Sequence, residues 1–152
     1  MDVFRIANKK YADDLSGKGA SLNGGRWNKI GTPVLYCGES VEIALLETVV
    51  HLPANFAPNL MLLTLQIPDN SIESIAASKL PDNWYKHPAP EVLAEIGDDW
   101  VKGNSTIALK VPSVIVPTAS NFILNCSHPH YKKVKIIQKQ TFPIDPRLTK
   151  RL

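Results

Sequence analysis

The stretch VLYCGESVEIALLETVVHL, residues 34–52, combines a short apolar strand with a helix that follows it directly. Ser40 is a typical N-cap, Glu42 lies in the first turn, and Pro53 ends the helical run. At about 100° per residue, two mostly apolar stripes form on opposite sides, and Glu47 lies within the second. The first stripe contains Val41, Leu45, Thr48, Val49 and Leu52, and the second contains Ile43, Leu46 and Val50. We therefore expect Glu47 to be buried or enclosed in a cleft.

The position of Glu47 raises the question of what compensates its charge. Burying an unpaired carboxylate costs several kcal/mol, so this side chain needs either a partner or a chemical role. Helix geometry offers His51, one turn later, as the partner of a structural ion pair. A carboxylate held in a cleft is equally typical of a catalytic or binding site. The residue pattern alone leaves both interpretations open.

The elements on either side of this helix indicate an α+β fold. Helices are predicted mainly in the first half of the chain and strands mainly in the second, which differs from a regular βαβ alternation. The predicted strands are 3–6, 34–38, 60–67, 106–111, 114–116, 122–124 and 134–140; a second helix is predicted from Pro90 to Lys102, and a Gly-, Ser- and Asn-rich loop at 13–28. A length of 152 residues fits a single domain, residues 1–152.

Composition is typical of a soluble globular protein. Hydrophobic residues make up 44% of the chain and charged residues 20%. Two cysteines give no disulfide framework, the N-terminus does not resemble a signal peptide, and the apolar run 60–67 is too short to span a bilayer. We expect a cytoplasmic protein with no membrane contact. Positive charge is concentrated from Lys132 onward in a chain of net charge +3. Such a basic end is suited to nucleic acid or to an acidic partner, and more often it is a solvated face.

Several other segments carry residues suited to chemistry. In GGRWN, residues 24–28, the glycines allow a close approach of the backbone to a ligand, and Arg26 offers planar donors suited to phosphate. The alternative is a surface turn with Trp27 in the core. Tyr36 is suited to core packing or to stacking on a flat ligand, and Ser113 follows Pro112 at a kink between strands.

The cluster CSHPH, with Cys126, His128 and His130, has alternate spacing that could in principle bind a metal ion. Zinc sites need a fourth ligand and usually a different spacing. We therefore predict no metal site.

Taken together, these segments resemble the RES domain family, which is named for characteristic Arg, Glu and Ser residues. The matching stretches are GGRWN at 24–28, VLYCGES at 34–40, IALLETVVH at 43–51, ALKVPSVIVPTASNFILN at 108–125, SHPHY at 127–131 and FPIDPRL at 142–148. The resemblance implies a fold similar to ADP-ribosyltransferases, with twisted, mainly antiparallel sheets and flanking helices. It also implies the toxin of a bacterial type II toxin–antitoxin pair, whose partner is a helix-turn-helix, Xre-like antitoxin. Contact with DNA would then be indirect, through the antitoxin.

The resemblance implies that NAD⁺ is a substrate, cleaved at the nicotinamide–ribose bond, and that no cofactor is needed. By position, the family's Arg, Tyr and Glu correspond to Arg26, Tyr36 and Glu47. Its Ser corresponds to Ser113, with Ser120 as the alternative. Glu47, Arg26 and Ser113 are then the catalytic residues; the substrate-binding residues are Tyr36, Arg26, Asn28 and Asn121.

Roles follow from the chemistry of such a cleavage. Positive charge develops on the ribose, and Glu47 would stabilise it. Arg26 would hold the pyrophosphate, Tyr36 would stack on nicotinamide, and Ser113 would orient the ribose or the attacking group. The residues and the resemblance leave three functions open. They are depletion of NAD⁺ by hydrolysis or phosphorolysis, transfer of ADP-ribose to a specific protein, and a non-catalytic antitoxin-binding module.

Overall fold

A computed structural model describes residues 1–54 and 59–150, and one seven-stranded sheet runs through this part of the chain. The elements are β1 (Asp2–Asn8), α1 (Lys18–Asn23), β2 (Val34–Gly38), α2 (Val41–Val49), β3 (Leu60–Gln66), β4 (Ile72–Ser74), α3 (Glu91–Gly103), β5 (Ala108–Pro112), β6 (Ser120–Asn125), β7 (Lys135–Thr141) and α4 (Pro146–Thr149). The strand order is β4-β5-β6-β2-β1-β3-β7, and only the β4–β5 pair is parallel. The expected α+β fold with a mainly antiparallel sheet is confirmed.

Local differences from the sequence prediction have physical reasons. The strand expected at 114–116 is wrong: the Ser113 hydroxyl accepts hydrogen bonds from two backbone N–H groups of this segment and turns the chain away from the sheet. The predicted loop 13–28 contains α1, which begins after Gly17, a residue with φ of 76°. Strand β4 is too short, at three residues, to produce an alternating pattern. None of the helices described is long and apolar enough to cross a membrane.

The two faces of the sheet are packed differently. One face carries a continuous core that includes Leu63, Leu65 and Phe122. On the other face, α3 packs over β5, β6 and β2, while α2 packs over β1 and β3. The second face is therefore divided between two helices, and the space between them is available for a site.

The sheet itself is split at the junction of these two halves. β1 and β2 are neighbours but pair only at Phe4 and Gly38, whereas β1 pairs with β3 at seven positions. Beyond this one contact the two strands diverge. The guanidinium of Arg5 bridges the gap, because its Nη1 donates to the carbonyl of Tyr36 at 3.3 Å.

Candidate active site

A cavity of about 1730 Å³ lies where the sheet divides. Its lining includes five of the six site residues expected from the sequence, namely Arg26, Asn28, Tyr36, Glu47 and Asn121. Ser113, the sixth, is fully buried outside this lining and donates a hydrogen bond to Glu47. The structure therefore brings together side chains from a loop, a helix, two strands and the residue after a third strand, separated by as many as 95 positions along the chain (26 to 121).

Glu47 projects from α2, a helix whose start agrees with the sequence prediction. The hydroxyl of Ser40 accepts a hydrogen bond from the Ile43 N–H at 3.2 Å, as an N-cap should. Glu47 Oε1 accepts two hydrogen bonds, from Ser113 Oγ at 2.9 Å and from Asn121 Nδ2 at 2.7 Å. Oε2 accepts none from residues 1–54 and 59–150, and it is not buried. One carboxylate oxygen is fixed and the other is free to meet a ligand.

The ion pair considered for Glu47 is not formed. Among the described residues, no salt bridge joins Glu47 to His51. The partners of the carboxylate are neutral donors, which orient it without cancelling its charge.

The expected apolar enclosure of Glu47 is only partly correct. In α2 only Ile43 and Ala44 are buried, and Val50 is 48% exposed at the cavity. Of the second stripe, Ile43 is buried and only Val50 joins Glu47 at the open wall of the cavity. Glu47 consequently lies in a cleft, as expected, but the cleft is accessible from solvent.

Ser113 follows the last residue of β5 and is 0% exposed. Its hydroxyl donates to Glu47 and accepts from the N–H groups of Ile115 and Val116, both at 3.2 Å. A serine hydroxyl has one donor and two acceptor positions, so its capacity is fully used inside the protein. Ser113 therefore orients Glu47 and has no free group for a substrate. Ser120, the alternative, makes no such contact with Glu47.

The GGRWN loop places Arg26 at the opposite wall. Its guanidinium donates to two backbone carbonyls, from Nη1 to Trp84 at 2.8 Å and from Nη2 to Lys86 at 3.1 Å. Burial lowers the pKa of Arg26, and the negative charge of Glu47 opposes this shift. Trp27 is 3% exposed, so the tryptophan lies in the core as in the alternative interpretation, while Arg26 beside it lines the cavity.

Hydrogen bonds of Tyr36 and of Asn28, the last residue of the loop, fix the conformation of the GGRWN loop. The Tyr36 hydroxyl donates to Asn28 Oδ1 at 2.6 Å and accepts from the Trp27 N–H at 3.1 Å. Burial raises the pKa of Tyr36 to about 12, so the phenol stays neutral and able to donate. Asn28 Nδ2 donates to the carbonyls of Ala20, Lys29 and Thr32. Asn28 is 1% exposed, and all its polar groups are engaged in shaping the loop.

Further polar side chains line the cavity, and among those to which sequence reasoning gave no role are Arg5, His87 and Glu91. Arg5 is the most informative, because its Nε is buried without a hydrogen-bond partner, the one such side-chain atom within the described ranges. The sequence does carry a signal for Arg5, because it is the one charged residue in the otherwise apolar strand segment VFRIA, residues 3–7.

The CSHPH segment does not form a metal site in the part of the chain that the structure describes. Cys126 Sγ turns towards the Leu15 carbonyl at 3.6 Å, and no three His, Cys, Asp or Glu side chains converge there as ligands.

Comparison with known proteins places the chain in a family. The RES domain model matches residues 2–145. The chain is 40% identical to a Prs ADP-ribosylating toxin from Sphingobium sp. over 92% of this chain and 89% of the relative. It is 36% identical to Toxin Res from Yersinia enterocolitica over 97% and 99%. The M. tuberculosis MbcT–MbcA toxin–antitoxin complex contains a chain of similar fold, with a TM-score of 0.74, 15% identity, and coverage of 97% and 86%. The chain therefore belongs to the RES domain family, the family of the Res toxins.

Proposed function

We propose that this RES-family toxin cleaves the nicotinamide–ribose bond of NAD⁺ and thereby depletes the dinucleotide. One observation carries the proposal. Glu47 presents a carboxylate with one oxygen held by Ser113 and Asn121 and the other free, at the wall of a cavity large enough for a dinucleotide.

The chemistry matches this arrangement. When the bond breaks, its electron pair leaves with nicotinamide and positive charge develops across the ribose carbon and ring oxygen. The free oxygen of Glu47 is suited to accept a hydrogen bond from a ribose hydroxyl, and its charge stabilises the cationic sugar. Because Ser113 and Asn121 are neutral, they fix the carboxylate without pairing its charge. Ser113 acts here as a positioning residue, not as a ligand of the ribose.

The remaining groups suit the rest of the dinucleotide. Arg26 has N–H groups beyond the two that bind the backbone carbonyls, and Arg5 lines the same cavity. Both are suited to phosphate oxygens. The ring of Tyr36 lines the cavity, where it can stack on nicotinamide. Asn28 keeps the Arg26 loop in shape, because its own polar groups are already bonded within the protein.

The acceptor of the ADP-ribose distinguishes two functions. Water or phosphate as acceptor depletes NAD⁺, and we place this function first because the cavity is open to small molecules. Transfer to a protein is the second candidate, supported by the Sphingobium relative whose name describes ADP-ribosylation. NAD⁺ labelled in its adenylate phosphate separates the two, with and without added phosphate. Label recovered as soluble ADP-ribose or its phosphate supports depletion, and label fixed on a protein supports transfer.

The decisive variant is Glu47→Gln, with Glu42→Gln as the matched control. Glu42 is exposed in the first turn of the same helix. We expect Glu47→Gln to lower nicotinamide release by about 10²- to 10³-fold, the usual cost of removing a transition-state electrostatic contact. Its melting temperature should change little, because the amide oxygen can still accept from Ser113 and Asn121. Glu42→Gln should keep full activity.

Two results would contradict the proposal. The first is no NAD⁺ loss with purified wild-type protein freed of any antitoxin. The second is wild-type turnover by Glu47→Gln. The first result would favour the non-catalytic antitoxin-binding module, and the second would show that Glu47 is not the catalytic carboxylate.

We also propose that an Xre-like helix-turn-helix antitoxin covers the mouth of the cavity and provides the only link to DNA. The M. tuberculosis neighbour comes from a toxin–antitoxin complex. In support, four large apolar side chains at the cavity lining are strongly exposed: Tyr11 (58%), Leu22 (64%), Ile30 (74%) and Val50 (48%). An exposed apolar rim of this kind is typical of a protein interface.

A further inference from the structure

The backbone of the GGRWN loop packs directly on α3. Gly97 makes this approach possible: a Cβ at this position would lie 1.7 Å from the carbonyl oxygen of Trp27. Glycine inside a helix weakens it relative to alanine, and here the missing side chain has a specific packing reason. Any larger residue at position 97 must push either the helix or the loop away.

The next residue on α3 makes a second contact with the same loop. Asp98 is 6% exposed, and its Oδ1 accepts a hydrogen bond from the Lys29 N–H at 3.1 Å. Within residues 1–54 and 59–150, no salt bridge pairs the Asp98 carboxylate with a cation. Its observed partner is therefore a backbone amide of the loop. Together, Gly97 and Asp98 hold the backbone on both sides of Asn28.

These contacts lie immediately beside Arg26. From the loop, the Arg26 guanidinium reaches the carbonyls of Trp84 and Lys86 and the wall of the cavity. Glu47, by contrast, is positioned by α2, β6 and the residue after β5. The two halves of the site therefore have separate supports, and α3 supports the half that carries the arginine.

We infer that Gly97 and Asp98 are positioning residues, which hold the Arg26 side chain where it can bind the phosphates of the substrate. This inference rests on the proposed function, in which NAD⁺ occupies the cavity. Losing either contact shifts the Arg26 loop while leaving Glu47 and its two donors in place. The consequence is weaker substrate binding with nearly unchanged chemistry, and hence a separation of KM from kcat.

The first test measures NAD⁺ consumption by Asp98→Ala, Asp98→Asn and Asp99→Ala. Asp99 is the matched control, because it is the adjacent aspartate on α3 and is exposed. We expect Asp98→Ala to raise KM for NAD⁺ about tenfold with kcat within about threefold, the size of effect typical of one lost buried hydrogen bond. Asp98→Asn should restore KM, since an amide oxygen can accept from Lys29. Asp99→Ala should match the wild type.

The second test needs no turnover. Amide hydrogen exchange at Lys29 should be about tenfold faster in Asp98→Ala than in the wild type, with Asp98→Asn and Asp99→Ala unchanged. If the wild type does not consume NAD⁺, the proposed function fails, yet exchange at Lys29 still tests the contact itself.

Gly97→Ala provides an independent perturbation without a change of charge. It should also raise KM and accelerate exchange in the loop. The inference is wrong if Asp98→Ala leaves Lys29 exchange and KM unchanged, or if kcat falls as much as KM rises. It is equally wrong if neither Asp98→Ala nor Gly97→Ala folds, because the contact would then be purely structural.

Discussion

Removal of the Ser113 hydroxyl should affect both the stability of the fold and the orientation of Glu47. This oxygen is 0% exposed and takes part in three hydrogen bonds, one to Glu47 and two from backbone N–H groups. Ser113→Ala removes all three without adding volume. It therefore tests the positioning role directly.

The expected magnitudes follow from these contacts. An unsatisfied buried donor costs about 1–3 kcal/mol. Ile115 is 36% exposed, so water can reach part of this turn, and we expect a loss of about 1–2 kcal/mol in the free energy of unfolding. Glu47 keeps its bond from Asn121 but loses one charge-assisted bond, worth about 1.5–3 kcal/mol. At about 1.4 kcal/mol per factor of ten, kcat should fall about 10- to 100-fold.

Urea unfolding and nicotinamide release measure the two effects separately. Ser120→Ala is the matched control, because Ser120 is the other serine that could correspond to the family's, and its hydroxyl makes no hydrogen bond within the described residues. It should differ little from the wild type in either assay. Wild-type kcat in Ser113→Ala would refute the reasoning, and a loss of kcat in Ser120→Ala would assign the family serine to position 120.

Two other predictions concern Tyr36 and the rim. The pKa of Tyr36 is about 12 in the fold against 10.0 ordinarily, so its contribution to stability is complete below pH 10 and is lost as pH rises from 10 to 12. Urea titrations should show about 3 kcal/mol of this loss in the wild type beyond that in Tyr36→Phe; parallel curves would contradict it. Ile30→Glu should weaken co-purification with the antitoxin while NAD⁺ turnover persists, whereas Ile137→Glu, half exposed on β7, should bind normally. Equal capture of both variants would place the antitoxin elsewhere.

Local signals in the chain predict much of the secondary structure. The Ser40 cap, the apolar run at 60–67 and the periodicity after Pro90 each depend on neighbouring residues, and α2, β3 and α3 form there. The strand predicted at 114–116 fails because a side chain, the Ser113 hydroxyl, takes the N–H groups that a strand would offer to its neighbour. Likewise, Gly97 weakens the helical pattern when the sequence is considered alone. Glycine is required there because the backbone of Trp27, 70 positions away (27 to 97), packs against the helix.

The residue types of the site, and an out-of-place carboxylate at position 47, are evident from the sequence and its family resemblance. Which groups remain free for a ligand was decided only by the tertiary structure. Ser113 and Asn28 use their polar groups inside the protein, while Glu47 Oε2 remains unused. The physical reason is that hydrogen bonding saturates. A donor or acceptor engaged by a distant part of the chain is no longer available to a substrate, and only the fold determines which distant part reaches it.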